Sequence, residues 1–354
     1  MIRVIELFEP HFEQSNDFFR FLFRALRTCA NATPLDDPRP LPKVETPRAH
    51  ESAWIRCDGH LVFFDMSDHI FSFDFKALEL CTVYFKTNLN RNLSKTILSN
   101  QHCEQHLEKL TPFFSLAGNL DIYNPKDLRN RIGVRQRHLD LCHIVGLYEN
   151  LIAESQPPPV PNTPITPAQY HYWIRVQTRE ALERAGFSGY YRLTSRGNTQ
   201  IEDKLIRPNI SQRAYMRRML ECRFTVINTL PHALPPWKVS ESIAMERPFI
   251  IERKPLVEIP EEFALISGKH YLELLPDWGG FDESVGVEDE RSYRVLQYPS
   301  QADFDKGCQK LQGILADHEH CKYMSDQITH FARHQMTFGA IADYVRERVS
   351  LRIH

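Results

Sequence analysis

The sequence predicts an α/β fold made of two Rossmann-like domains facing a cleft. Three observations carry that expectation. The chain opens strand–loop–helix, and further on come short, continuous apolar runs that end in a polar or charged residue, as parallel strands covered on both faces do. Residues 212–251 read in unbroken order as helix, strand, loop, helix and strand. A chain of 354 residues has room for two domains of ordinary size. Its 42% hydrophobic and 25% charged residues are the balance of a globular protein rather than a disordered or fibrous one.

Taken in order, Ile2, Val4, Ile5, Leu7 and Phe8 form a strand that Pro10 stops. Ser15, Asn16 and Asp17 can cap a helix whose apolar face is Phe18, Phe19, Leu22, Phe23 and Leu26. The loop between them lacks the Gly-x-Gly-x-x-Gly fingerprint, so neither NAD nor FAD is expected. Residues 33–49, rich in proline and charge, read as a surface loop. Strands are expected over 60–65 (HLVFFD), 78–86 (LELCTVYFK) and 139–146 (LDLCHIVG), ending at Asp65, Lys86 and Gly146. The proline-dense stretch 156–167 reads as an insertion, because a helix over 168–185 and a strand in SGYYRLTS continue the unit begun by LDLCHIVG. The segment 212–251 follows as QRAYMRRMLE (helix), RFTVIN (strand), TLPHALPPW (loop), KVSESIAME (helix) and RPFIIE (strand). Pro260 to Phe263 suggests a turn entering a helix, and 276–292 an exposed acidic loop. Two helices are expected to finish the chain. Phe304, Cys308, Leu311 and Leu315 mark the first; Ile328, Phe331, Phe338, Ile341, Val345 and Val349 mark the second, from Ser325 on.

Composition narrows the function. A net charge of −2 supplies no basic field for nucleic acid or an anionic membrane, so nucleic acid is not an expected partner. The eight cysteines, at 29, 57, 81, 103, 142, 222, 308 and 321, contain no Cys-x-x-Cys pair and read as reduced, buried small hydrophobes. His102-Cys103 with His106, and His318-Glu319-His320-Cys321, lack the further ligands that would complete a zinc site, so no metal is expected. No run reaches the ~18–20 apolar residues of a membrane span, and the opening MIRVIELFEP is too short and acidic for a signal peptide. A cytoplasmic protein with at most peripheral membrane contact is expected.

Polar groups just past the ends of parallel strands sit where open α/β sheets bind ligands. The loop entering the helix at Trp237-Lys238-Val239-Ser240-Glu241 combines backbone N–H groups and a positive dipole end with the Lys238 charge and the Ser240 hydroxyl, the makings of an anion site. A carboxylate at Glu241 can accept two hydroxyls of a sugar ring. The structural alternative is a first-turn Glu placed there by the dipole alone, beside a solvated lysine.

The stretch YMRRMLECRFTVINTLPHALPPWKVSESIAMERPFII resembles the donor-binding segment of glycosyltransferases with two Rossmann domains, the GT-B architecture. Their Glu-Ala-x-Ala-x-Gly-x-Pro run is matched at Glu241, Ala244 and Pro248. The resemblance implies that Glu241 binds the donor ribose. Glu246-Arg247 stands where a small residue and glycine are usual, which implies a different turn before the strand. Ala233 stands where many retaining members carry a second glutamate, so the segment is closer to exostosin-like and spore-protein-like enzymes, and an inverting mechanism follows. The implied layout is an N-terminal acceptor domain over 1–135 and a C-terminal donor-nucleotide domain over 136–325 carrying the 156–167 insertion. A final helix in 326–354 would cross back. Donor contacts fall on Gly146, Arg192, Arg196, Lys238, Ser240 and Glu241, with Arg175 or Arg179 on the helix of the same unit. The base that activates the acceptor hydroxyl is sought among Asp65, Asp68 and His11. No metal or cofactor is implied beyond the nucleotide-sugar substrate, and the acceptor is a glycan, a lipid-linked saccharide or a modified nucleobase. Two rival readings share the architecture: a sugar-nucleotide epimerase, and a catalytically inactive binding or scaffold subunit.

Overall fold

The computed structural model describes residues 2–7, 17–29, 31–34, 41–42, 51–67, 70, 72–114, 139–148, 160, 167–196, 206–207, 210–229, 237–253, 257–276, 278 and 298–354. His11, Asp68, and all but single residues of the 156–167 insertion lie outside that set, as do most of 33–49 and 276–292. The described chain is α/β, with two six-stranded sheets and helices packed on them.

The first sheet contains β1 (Ile5–Leu7), β2 (Ala32–Pro34), β3 (Ser52–Cys57), β4 (His60–Asp65), β5 (Val83–Lys86) and β6 (Leu110–Pro112), in the order β2-β1-β3-β4-β5-β6. It is not wholly parallel: β3 runs against both β1 and β4. The cause is local. Asp58 (φ 47°) and Gly59 (φ 83°) both take the left-handed conformation of a two-residue hairpin turn, which pairs Cys57 with His60. Asp58 also accepts the backbone N–H groups of Arg3 and Val4 at 2.7–3.0 Å, tying the turn to the chain start. The strand expected over 78–86 is shorter, because Asp74 caps a helix, α2 (Phe75–Leu80), and accepts the Ala77 N–H at 2.9 Å. Helix α1 (Asp17–Arg27) and helix α3 (Arg91–Asn100) complete this half. One face of the sheet buries Trp54, Phe63 and Tyr84, the other Phe64, Phe85 and Phe113.

The second sheet is parallel throughout and runs β12-β11-β10-β7-β8-β9. Its strands are β7 (Leu139–Tyr148), β8 (Gly189–Arg196), β9 (Ile206–Arg207), β10 (Cys222–Val226), β11 (Phe249–Ile251) and β12 (Tyr271–Glu273). Counted from β7, the order is 3-2-1-4-5-6, that of doubly wound mononucleotide folds. Helix α4 (Pro167–Arg184) covers one face through Tyr170, Ile174 and Leu182. The other face takes α5 (Gln212–Glu221) and α6 (Trp237–Ala244) through Met216, Met219, Leu220 and Ala244. The helix expected after Pro260 is a single 3-10 turn, Glu261–Phe263, followed by β12.

Three helices, not two, close the chain: α7 (Gln301–Ala316), α8 (His318–His334) and α9 (Phe338–Ile353). The apolar spacing continues across the last break, but the Thr337 hydroxyl accepts the Ala340 N–H at 3.1 Å and starts a new helix. Helix α8 packs on α6, while α9 packs on α1 and β5 of the first sheet. The rings of Phe21 and Phe338 lie 4.6 Å apart, and the Tyr344 hydroxyl donates to the Pro112 carbonyl at 2.6 Å. One core therefore runs through both halves, joining Phe64, Phe85 and Phe113 to Ile243, Phe249, Phe331 and Val345.

Candidate functional site

The chain leaves β7 for β8 and β9, then returns to lay β10 on the opposite side of β7. A crevice forms beyond the carboxyl ends of strands wherever the order reverses in this way. Its described rim is Gly146 to Tyr148 at the end of β7, Ile227 to Thr229 after β10, Glu252 after β11, and the start of α6. Most of the donor residues expected from sequence fall here. Gly146 is half-buried and its carbonyl accepts the Arg175 guanidinium from α4. Arg192, half-buried on β8, pairs in register with Ile144, and the Lys238 ammonium donates to the Ile144 carbonyl. Lys238 also lies 5.5 Å from the centre of the Tyr215 ring. It is thus an anchored cation rather than the solvated lysine of the structural alternative. Ser240 is buried and Glu241 half-buried on the same helix. Arg196 is the last residue of β8, opposite Tyr148, and its side chain lies outside the described set.

The turn after α6 corrects an expectation. Glu246 keeps the left-handed backbone (φ 53°) that glycine favours. Its conformation is held by a 2.9 Å ion pair with Arg333 of α8 and by the fit of a side chain only 4% exposed. The departure from glycine changes the residue without removing that conformation.

Asp65 stands apart from the crevice. It ends β4 in the other sheet, 4% exposed. One carboxylate oxygen accepts the Ser67 N–H (3.0 Å) and hydroxyl (2.6 Å); the other accepts the Tyr84 hydroxyl (2.9 Å) and the Lys86 ammonium (2.8 Å). A carboxylate has about four lone-pair sites. All are taken here, so an acceptor hydroxyl would have to displace one of these donors to reach Asp65. Lys86, wholly buried, also donates to the Ser72 carbonyl at 2.8 Å and lies 4.9 Å from the centre of the Phe73 ring.

Sequence reading missed a second buried polar cluster, inside the crevice itself. Glu252 is 2% exposed. One of its oxygens accepts the Thr229 N–H (2.7 Å) and hydroxyl (2.9 Å), and the other accepts the Asn228 side-chain amide (2.5 Å). That amide also donates to the Thr178 hydroxyl of α4 at 3.1 Å. With both amide protons so used, the Asn228 oxygen must accept, which puts the proton of His143 on Nε2, 2.7 Å away. The Nδ1 atom of His143 is then a buried acceptor without a hydrogen-bond partner. Burial lowers the His143 pKa to about 3, so the ring is neutral. Burial raises Glu252 to about 7, outweighing the hydrogen bonds from Thr229 and Asn228 that favour its ionised form. The missed signal was the rule that singled out Asp65: Asn228-Thr229 and Glu252 are polar residues just past apolar strands.

Among the described residues no group of three or more His, Cys, Asp or Glu is placed to hold a metal, and no helix is long and apolar enough to cross a membrane. The eight cysteines are free thiols, seven of them buried. A cavity of about 440 Å³ lies elsewhere, between β6, residues 258–261 and α9; its described lining includes Arg91, Glu258, Tyr344 and Arg348 and none of the crevice residues.

No protein-family model and no curated protein matches the chain. Solved structures similar in layout include a glycosyltransferase from Rickettsia africae (10% identity, TM-score 0.39, 77% of this chain) and the catalytic domain of starch synthase IV from Arabidopsis thaliana bound to ADP and acarbose (11%, 0.40, 78%). A third is the Anabaena HepE protein in complex with UDP (13%, 0.41, 82% of this chain and 72% of that one). The chain spans 63% and 57% of the length of the first two. Similarity this slight assigns no chemistry.

Proposed function

We propose that the chain is a glycosyltransferase that moves a sugar from a nucleotide-sugar donor to a hydroxyl acceptor, with the donor nucleotide in the crevice beyond β7 and β10. One observation carries the reading: the segment that resembles a donor-binding run, Glu241 to Ile250, supplies α6 and β11 directly beside the reversal of strand order. In this reading the amino end of α6 and Lys238 face the diphosphate. A diphosphate oxygen is a stronger acceptor than the Ile144 carbonyl that Lys238 now bonds. Glu241 takes the ribose hydroxyls, Ser240 supports the helix start, Gly146 lets the ligand approach the backbone, and Arg192 or Arg196 adds positive charge. The leaving phosphate is stabilised by these fixed charges and dipoles without a metal. The acceptor sits in a cleft facing the first sheet, so that residues 1–135 form the acceptor domain and 136–325 the donor domain of a GT-B enzyme. The base for an inverting, single-displacement transfer is Asp65, Asp68 or His11, and Asp65 would first have to give up one of its present hydrogen bonds.

A thermal-shift panel of UDP-, ADP-, GDP- and dTDP-sugars tests this. A ligand at a hundredfold excess over its Kd stabilises the native state by about 2.7 kcal/mol. One nucleotide family should raise the melting temperature, and Glu241→Ala and Lys238→Ala should each reduce the gain. Equal stabilisation of all three proteins, or none with any nucleotide, would overturn the donor site and favour the scaffold reading. Interconversion of the free sugar nucleotide without transfer would favour an epimerase.

A further inference from the structure

We propose that Glu252 is a positioning residue, whose carboxylate latches Thr229 and Asn228 and so fixes the root of the segment that leads into α6. Thr229 is the last described residue of the β10 exit, and Trp237, Lys238, Ser240 and Glu241 follow after seven further residues. Glu252 holds Thr229 by both its backbone N–H and its hydroxyl, a two-point grip on one residue. Through Asn228 the same carboxyl reaches His143 on β7 and Thr178 on α4, so β7, β10, β11 and α4 are pinned together at the reversal point. The latch itself stands on this geometry. Only its effect on donor binding rests on the proposed function.

The latch has a built-in dependence on pH. A hydrogen bond to an ionised acceptor is worth about 1.5–3 kcal/mol, against about 1 for a neutral pair. In an opening that frees Thr229 while Glu252 stays buried, the hold on the Thr229 N–H strengthens as Glu252 ionises near pH 7; full unfolding exposes the carboxylate and has the opposite dependence on pH. The other titratable or charged groups that reach this cluster are His143 on β7, Tyr170, Arg175 and Arg179 on α4, Lys238 on α6, Tyr298, and Arg253 beside Glu252. His143 has lost its proton far below neutrality and burial holds the Tyr170 phenol far above it, so the change near pH 7 belongs to Glu252.

The test is amide hydrogen exchange of the full chain, without nucleotide, from pH 5.5 to 8.5, corrected for the intrinsic rate. Exchanging by that local opening, with less protection than the Phe85 amide that reports full unfolding, Thr229 should gain roughly tenfold in protection across neutrality, the equivalent of about 1.4 kcal/mol. In Glu252→Gln that rise should vanish; Thr229→Val, which keeps the N–H, should retain it. If Glu252→Gln does not fold, the wild-type pH profile and Thr229→Val still decide. Thr229 protection that is independent of pH in the wild type overturns the latch, as does a rise that survives in Glu252→Gln. UDP, ADP, GDP and dTDP are then titrated in turn, comparing wild type with Glu252→Gln at each pH so that ligand titration cancels. A Kd ratio that grows with pH links the latch to donor binding. A latch present by exchange with no nucleotide bound by either protein sinks the donor-site reading and leaves the latch standing.

Discussion

Each sheet buries a carboxylate at the carboxyl end of a central strand, and the two are solved differently. Asp65 of the first sheet meets an ammonium, two hydroxyls and an amide, so every lone pair is used and the charge is matched. Glu252 of the second sheet meets an amide side chain, a hydroxyl and a backbone N–H, all neutral, and makes no ion pair among the described residues. A buried anion with a bonded cation is a fixed structural node. One with only dipoles around it has its charge held in balance, and burial then lifts its pKa to about 7. The difference separates a strand end that serves stability from one built to respond.

The comparison breaks most sharply at Lys86. Replacing it with Met leaves Asp65 buried without a counter-charge, and removing one partner of a buried pair costs about 3–5 kcal/mol. Urea denaturation should register that loss, and a fall below about 1 kcal/mol would show that Asp65 tolerates neutral donors alone, as Glu252 does.

Glu252→Gln should produce the next largest effect, as a slope rather than a fixed loss. The folded-state pKa of about 7 lies above the 4.5 of a free glutamate, so the native state binds a proton that the unfolded chain has released. The stabilisation is complete below about pH 4.5 and is lost as pH rises to about 7, a change of order 3 kcal/mol. The stability of Glu252→Gln relative to wild type should therefore improve by that order between pH 4.5 and 7.5. A constant difference would show that burial does not hold the Glu252 proton near neutrality.

His143 supplies the opposing slope. Its pKa falls from 6.5 to about 3, so stability rises with pH between those values, and His270, lowered to about 4 by burial, adds to the rise. Between pH 4.5 and 6.5 the contributions of Glu252 and His143 nearly cancel. His143→Gln should uncover the decline due to Glu252 in that interval, read as a reduced slope of stability against pH. An unchanged slope would separate His143 from the network.

The smallest effect is expected at Glu246. Glycine there relieves a left-handed backbone worth about 1 kcal/mol but loses the Arg333 ion pair and the packing of a buried side chain. Glu246→Gly should change stability by less than about 1 kcal/mol, the usual limit for a half-exposed pair.

Local signals were legible in the sequence and convergent ones were not. The segment 212–251 folds as read: α5 coincides with QRAYMRRMLE, and β10, α6 and β11 lie within a residue or two of their expected spans. Apolar spacing and the Ser211 cap fix such an element from its own residues. The hairpin of β3 and β4 was legible as well, because Asp58-Gly59 between two apolar runs is a strong turn signal, but SAWIRC lacks the polar–apolar alternation that marks a half-buried strand. The break at Thr337 carries neither glycine nor proline, and the packing of α9 onto α1 decides it. Least legible was the cluster of His143, Thr178, Asn228, Thr229 and Glu252. Its members span β7 to β11, and each alone reads as an ordinary polar residue. Only the strand order brings them together.

Helix α9 imposes a sequence of events on synthesis. Phe64, Phe85 and Phe113 of the first sheet are covered in part by Tyr344, with Val345 and Val349 in the same core, and a ribosome delivers those residues only after the whole second sheet. Domains usually close from the amino end as they emerge. Here the later sheet can be complete while an aromatic face of the earlier one waits for its cover, open to chaperones until residues 338–353 have been made.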